Sequence, residues 1–256
     1  MKPIAKKNIA DSFSAQYLHY QKAASFHGEC AELLVKELNA LPTRNGPLLE
    51  IGSHTGILSS KLNDFCKNSK IHNIRIDLQR SGENLIIQNS NAHFLQADGE
   101  VLPFTDNTFD CIVSNATFQW FNEWENSLQN ILNSLKKKGH LIFSQFLEPS
   151  LEPLRSWYRD IQREDAFIEL MYEDVLKQYL QSHKDSKLKC IEKTVYFKDL
   201  KELFCFLKKM GVNAPSKNLK RLNRFQIERL KILSEKSREE KGIPLKLSAA
   251  IVVISK

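Results

Sequence analysis

The stretch Leu48–Gly56, LLEIGSHTG, joins a short apolar run to a glycine turn and then to residues that suit a helix. A turn without Cβ atoms at Gly52 and Gly56 lets the backbone approach a bound cofactor beyond the carboxyl end of a strand. About 20 residues further on, Asp77 closes the run IRID, where a carboxylate can accept from both hydroxyls of a ribose. Asp98 follows a third run in FLQADGEVLPF, and a polar turn then leads through Phe109 into a fourth apolar run, CIVS. The cysteines Cys30, Cys66, Cys111, Cys190 and Cys205 form no C-x-x-C, and no His pair stands at zinc spacing. No metal site is expected, and the pattern suits buried thiols in a reducing compartment.

These residues need strands that end where they begin. Apolar runs at Pro47–Gly52, Asn73–Asp77, His93–Ala97, Phe109–Ser114 and His140–Phe146 alternate with helical stretches such as Ile57–Cys66. Such alternation predicts an α/β fold of Rossmann-like type, a mostly parallel sheet with helices on both faces. Thr194–Phe197 and Ser248–Ser255 raise the strand count to seven, while Glu152–Leu180, Asp199–Met210 and Phe225–Ser237 read as helical. Two helices are expected before the first strand. The chain is read as one domain: N-terminal helices over 1–45, a cofactor-binding core over 46–147, a lid with basic helices over 148–247, and a final strand over 248–256.

At 256 residues and 42% hydrophobic content, the chain can bury one sizeable core. No stretch approaches a membrane span and the N-terminus lacks a secretory signal, so a soluble, cytoplasmic protein is expected. Charge is uneven. His183–Lys241 holds 17 Lys/Arg against 8 Asp/Glu, an excess larger than the +7 of the whole chain. An acidic protein or a nucleic acid would meet such a surface, although a solvated helix face has the same composition. The lysines are not interleaved with stacking aromatics, which argues against nucleic acid.

The glycine loop, Asp77, Asp98 and the run L-P-F, polar turn, F-D and apolar strand, taken in this order, resemble the class I S-adenosylmethionine-dependent methyltransferases. The resemblance implies S-adenosylmethionine as cofactor, with Glu50, Gly52, Ser53, Gly56, Asp77, Leu78, Asp98, Gly99, Asn115 and Gln119 around it. His54 occupies the position where that pattern has its middle glycine. Either its imidazole points away and the loop tolerates it, or the cofactor site is weakened.

Ser114–Trp120 with its continuation, SNATFQWFNEWENSL, is similar to the corresponding stretch of BioC-type malonyl-acyl carrier protein O-methyltransferases. The Phe13-x6-Tyr20-x3-Ala24 pattern, the run FSQFLEPSLEPLRSWY and the segment LKKMGVNAPSKN carry the same resemblance. It implies methyl transfer to the free carboxylate of a malonyl thioester, a step that primes the pimeloyl part of biotin. Departures are His54, His27 where that family tends to carry glutamine, and a final strand without a polar interruption. An ionised carboxylate needs no general base, so in-line positioning suffices, and well-oriented groups reach effective molarities of about 10⁵–10⁸ M. Arg155 is the expected carboxylate clamp, Tyr20 (with Tyr17) a hydroxyl donor, and Trp120 a ring face toward the sulfonium. Phe118 is expected to pack under the fourth strand. Lys208, Lys209, Lys217, Lys220, Arg221 and Arg224 form the expected landing surface for acyl carrier protein. Other enzymes of this fold, acting on a quinone-like molecule or RNA, and a non-methylating relative that assembles respiratory complex I, are the alternatives.

Overall fold

The computed structural model describes residues 5–7, 25–42, 46–69, 71–79, 92–210 and 221–256. Seven strands form one sheet in the order β3-β2-β1-β4-β5-β7-β6. They are β1 Leu48–Ile51, β2 Asn73–Asp77, β3 Ala92–Gln96, β4 Phe109–Asn115, β5 Leu135–Phe146, β6 Ser186–Phe197 and β7 Ile243–Ser255. Strands β1 to β5 pair in parallel, and β7 inserts antiparallel between β5 and β6. The helices among the described residues are α1 Ser25–Ala40, α2 Ile57–Ser69, α3 Trp124–Ser134, α4 Leu154–Asp160, α5 Glu173–Leu180, α6 Leu200–Lys209 and α7 Arg224–Lys236.

Strand side chains alternate between faces, and both faces of this sheet are covered. Leu48, Cys111, Val113, Ile142, Ile251 and Val253 pack with Leu34 of α1, Leu62 of α2, Trp157 of α4, Leu203 of α6 and Leu230 of α7. Their neighbours Leu49, Ile51, Ile112, Leu141, Phe143, Val252 and Ile254 pack with Leu128 and Ile131 of α3 and Leu176 of α5. Each fully buried Leu, Ile or Val stabilises this arrangement by about 1.5–3 kcal/mol of transfer free energy. Order reverses at β1, whose chain leaves toward β2 on one side while β4 lies on the other. In such open sheets the crevice beyond the carboxyl ends of the strands at this switch is where ligands bind.

Several elements differ from the sequence reading. Strand β6 begins at Ser186 instead of Thr194, because KLKCIEKTVYF alternates charged and apolar residues along the sheet edge, where lysines are solvated. Strand β7 starts at Ile243, and β5 starts at Leu135, five residues before the expected His140, through a register shift opposite Phe109 and Cys111. The stretch expected to be helical over Glu152–Leu180 is interrupted: α4 ends at Asp160, a 3₁₀ turn spans Glu164–Ala166, and residues before α5 run extended alongside Leu147. Of the two N-terminal helices, α1 is described; the segment with Phe13, Tyr17 and Tyr20 lies outside the described residues. No helix among the described residues is long and apolar enough to cross a membrane.

Candidate active site

The loop after β1 is built by its neighbours. The amides of Gly52 and Ser53 both donate to the carbonyl of Ile76, at 2.9 and 3.2 Å, and the Gly56 amide donates to the Ser53 carbonyl at 2.7 Å. Gly52 has φ +76°, and a Cβ there would lie 2.0 Å from Thr117 Oγ1. Only glycine meets both demands. His54 also takes a left-handed conformation, φ 37°, and its amide donates to Asp77 Oδ2 at 3.0 Å. The middle position of the loop is thus held from its backbone, and the imidazole is half-buried.

Beneath the loop lies a polar group that the sequence reading placed differently. Glu50 is 1% exposed, and its two oxygens accept from Ser59 Oγ at 2.8 and 2.7 Å. Arg75, fully buried in β2, sets its Nε 3.4 Å from Glu50 Oε2 and donates through Nη2 to Asn63 at 2.6 Å. Glu50, expected among the cofactor-binding residues, therefore joins β1, β2 and α2 under the loop. Arg75 was not singled out by the sequence; an arginine between two isoleucines in a strand buried on both faces was the available signal.

Asp77 ends β2 with its carboxylate at the loop rim, where Oδ1 also accepts the Gln79 amide at 3.2 Å. Leu78 is half-buried beside it. Asp98 follows β3 and accepts the Glu100 amide at 2.9 Å and Lys6 Nζ at 3.2 Å. Gly99 packs so closely on Ile51 that a Cβ would meet its Cγ2 at 2.6 Å. Glu100, absent from the sequence candidates, is buried and accepts from Lys6 and from the amides of Asn122 and Glu123, at 2.8 and 3.1 Å for the amides. Burial pushes its carboxyl up, but Lys6 and the two amides more than offset this, leaving it below the usual value. Glu100 thereby orders the segment after the 3₁₀ turn Phe118–Trp120.

That turn divides its aromatics. Phe118 is 1% exposed and packs on Phe121 and Phe143, with ring centroids 4.9 and 4.6 Å away, as expected for a core residue. Trp120 instead lines a pocket together with Gln119, Arg155, His27, Phe146 and Phe167. Gln119 donates to the Ala116 carbonyl at 2.8 Å, and Asn115 links α1 to β5 by donating to the His27 carbonyl at 3.1 Å and accepting from Ser144 at 2.6 Å. The wall beyond is apolar, formed by Leu151, Ile168, Leu170, Phe206, Met210 and Leu247.

Arg155 is the cation of this pocket's lining among the described residues. Its side chain is 11% exposed; Nε donates to the Ser150 carbonyl at 3.1 Å and Nη2 to the Ile168 carbonyl at 2.6 Å, while Nη1 lies 3.2 Å from Glu148 Oε1. These contacts distinguish it from an ordinary surface arginine. His27 faces the same space, and burial, reinforced by His54, pushes its imidazole down to about 3, so it is neutral at pH 7. Of the basic residues expected at the partner surface, Lys208, Lys209, Arg221 and Arg224 are exposed, and Lys217 and Lys220 lie outside the described residues, as does Tyr20.

The residues present fit S-adenosylmethionine. A turn bounded by Gly52 and Gly56 opens at the switch point, the Asp77 carboxylate accepts the His54 amide within it, and Asp98 and Gly99 follow the next strand. A family described as "Methyltransferase domain" matches residues 49–143. A malonyl-[acyl-carrier protein] O-methyltransferase of Buchnera aphidicola is 26% identical over 84% of this chain and 85% of its own. A ubiquinone/menaquinone biosynthesis C-methyltransferase of Vibrio cholerae is 33% identical over 43% of this chain and 45% of its own. Among solved structures, a methyltransferase fold from Bacillus halodurans superposes with a TM-score of 0.61 at 15% identity, covering 87% of this chain and 98% of that one. The matched residues run from the glycine loop through Asp77 and Asp98 into β5, and over them the chain carries a methyltransferase domain, with the fold of the S-adenosylmethionine-dependent enzymes.

Proposed function

We propose that the protein transfers a methyl group to the free carboxylate of a malonyl thioester carried on an acyl carrier protein, giving the methyl ester. The observation that carries this reading is Arg155: a buried guanidinium in the lining of an apolar pocket shared with Trp120 and Gln119. A guanidinium has five N–H donors. Nε and one on Nη2 are spent on carbonyls and one on Nη1 faces Glu148, which, among the described residues, leaves one on each terminal nitrogen for a carboxylate. The similarity to the Buchnera enzyme along most of both chains supports the same substrate class.

When bound, S-adenosylmethionine supplies an electrophilic methyl group, which a carboxylate oxygen takes as the carbon–sulfur bond breaks and its electron pair stays on sulfur. No proton moves, and no residue has to act as a base. The loop at Gly52–Gly56, with Asp77, Asp98 and Gly99, holds the cofactor; Arg155 orients the carboxylate; Trp120 offers its ring to the positive sulfur, worth about 0.5–2 kcal/mol. Neutral His27 places no second cation beside the substrate.

Exposed Lys208, Lys209, Arg221 and Arg224 form the landing surface for the acidic carrier protein. The whole chain works as one domain, with 148–247 as the substrate-binding elaboration. A quinone-type substrate would bring no anion for Arg155, and the Vibrio enzyme's similarity covers less than half of this chain. The test is intact-mass spectrometry of malonyl-, succinyl- and acetyl-carrier protein incubated with the protein and S-adenosylmethionine. The malonyl form gains one methyl, about 14 Da by the chemistry of an ester that needs no base, and the acetyl form gains none. An unchanged malonyl carrier would overturn the reading.

A further inference from the structure

Arg155 lines the pocket, and Glu148, which is outside that lining, pairs with the same guanidinium at 3.2 Å. Both side chains are largely buried, 11% and 15% exposed. Burial pushes the Glu148 carboxyl up despite Arg155, so the ion pair does not fully repay its loss of water. A buried pair of this kind is weak evidence for a stabilising role, yet breaking it leaves one charge uncompensated.

We propose that Glu148 is a positioning residue that tempers the Arg155 clamp, lowering the affinity for the carboxylate substrate and speeding its turnover; this rests on the carboxylate reading above. Two carboxylates that share one guanidinium repel each other, so the incoming one is gripped less tightly than it would be by an unpaired arginine. The substrate's negative charge fades as the ester forms. A strong cation therefore stabilises the ground state more than the transition state, and binding of that kind slows the chemical step. Once the charge is gone, Glu148 remains to neutralise Arg155, and the neutral ester leaves without stranding a buried cation. Glu148 also accepts the Leu170 amide, and Arg155 donates to the Ile168 carbonyl, so the pair borders the pocket wall as well. If holding that wall were its sole task, removing the charge would weaken substrate binding.

The experiment compares the full-length wild type with Glu148→Gln and Glu148→Asp. Calorimetry with S-adenosylhomocysteine present gives the Kd of malonyl-pantetheine; initial rates give kcat. Glu148→Gln is expected to lower Kd on the order of tenfold, about 1.4 kcal/mol, and to lower kcat severalfold. Glu148→Asp, whose shorter side chain sets the charge further from Arg155, shifts both in the same direction by less, and decides the matter if the glutamine variant does not fold. Affinity for S-adenosylhomocysteine alone stays unchanged in both. A Kd that rises or stays level overturns the inference. No malonyl-pantetheine binding by the wild type overturns the carboxylate reading, and this inference with it.

Discussion

Gly52 faces Thr117 at a distance that leaves no room for a side chain: a Cβ on Gly52 would lie 2.0 Å from Thr117 Oγ1. The contact joins the glycine loop after β1 to the turn after β4, the two edges of the crevice at the switch point. Gly52→Ala adds the strain of φ +76° for a non-glycine residue, about 1–2 kcal/mol, to a steric overlap that must push the two loops apart. S-adenosylmethionine affinity is expected to fall at least tenfold, about 1.4 kcal/mol, by calorimetry. Thr117→Ser removes one methyl from the contact and keeps affinity near that of the parent.

Glu50→Gln removes the counter-charge of Arg75, which is 0% exposed. Breaking a buried pair from one side costs about 3–5 kcal/mol. Urea unfolding should show a lower midpoint with an unchanged m-value. A variant as stable as the parent would place the balancing charge elsewhere.

His27 gives the protein a defined acid sensitivity. Its value in the fold, about 3, lies below its ordinary 6.5, so below pH 6.5 the unfolded chain takes up a proton that the folded chain refuses. The stability it contributes is complete above pH 6.5 and declines as pH falls toward 3, with a slope of up to about 1.4 kcal/mol per pH unit. His27→Gln should flatten the pH dependence of unfolding in that window relative to the parent. Parallel curves for the two proteins would contradict the assignment.

Charge reversal of Lys208 and Lys209 should raise KM for the malonyl carrier protein several-fold and leave KM for malonyl-pantetheine unaltered. Added salt should weaken the parent's reaction with the carrier protein, chiefly through its on-rate, and affect the reversed variant less.

The sheet was legible because its signals are local. PLLEIG, IRID and FDCIVS each carry a strand and the acid or glycine at its end, and helices between them fix a parallel order. What stayed hidden is set by tertiary contact. The alternation in KLKCIEKTVYF is the signal for a strand, but its lysines suit an edge position that shows only once β7 is beside it. Glu50 belongs to a familiar motif, yet its partners Ser59 and Arg75 come from two other elements. Glu100 reads as an ordinary turn acid, and its burial follows from the amides of Asn122 and Glu123 folding onto it. Arg155 and Trp120 could be named from the sequence, but the apolar pocket they share depends on α6 and on residues 167–170.

Carboxylate methylation is defined by where the methyl group goes. With a ¹³C-labelled methyl donor and malonyl-carrier protein, carbon–proton correlation NMR of the product should show a single methyl ester on the distal malonyl carboxyl. The Arg155→Ala variant, still binding S-adenosylmethionine, should yield little of it. Label on carbon or nitrogen, or equal ester formation by the variant, would contradict carboxylate methylation guided by Arg155.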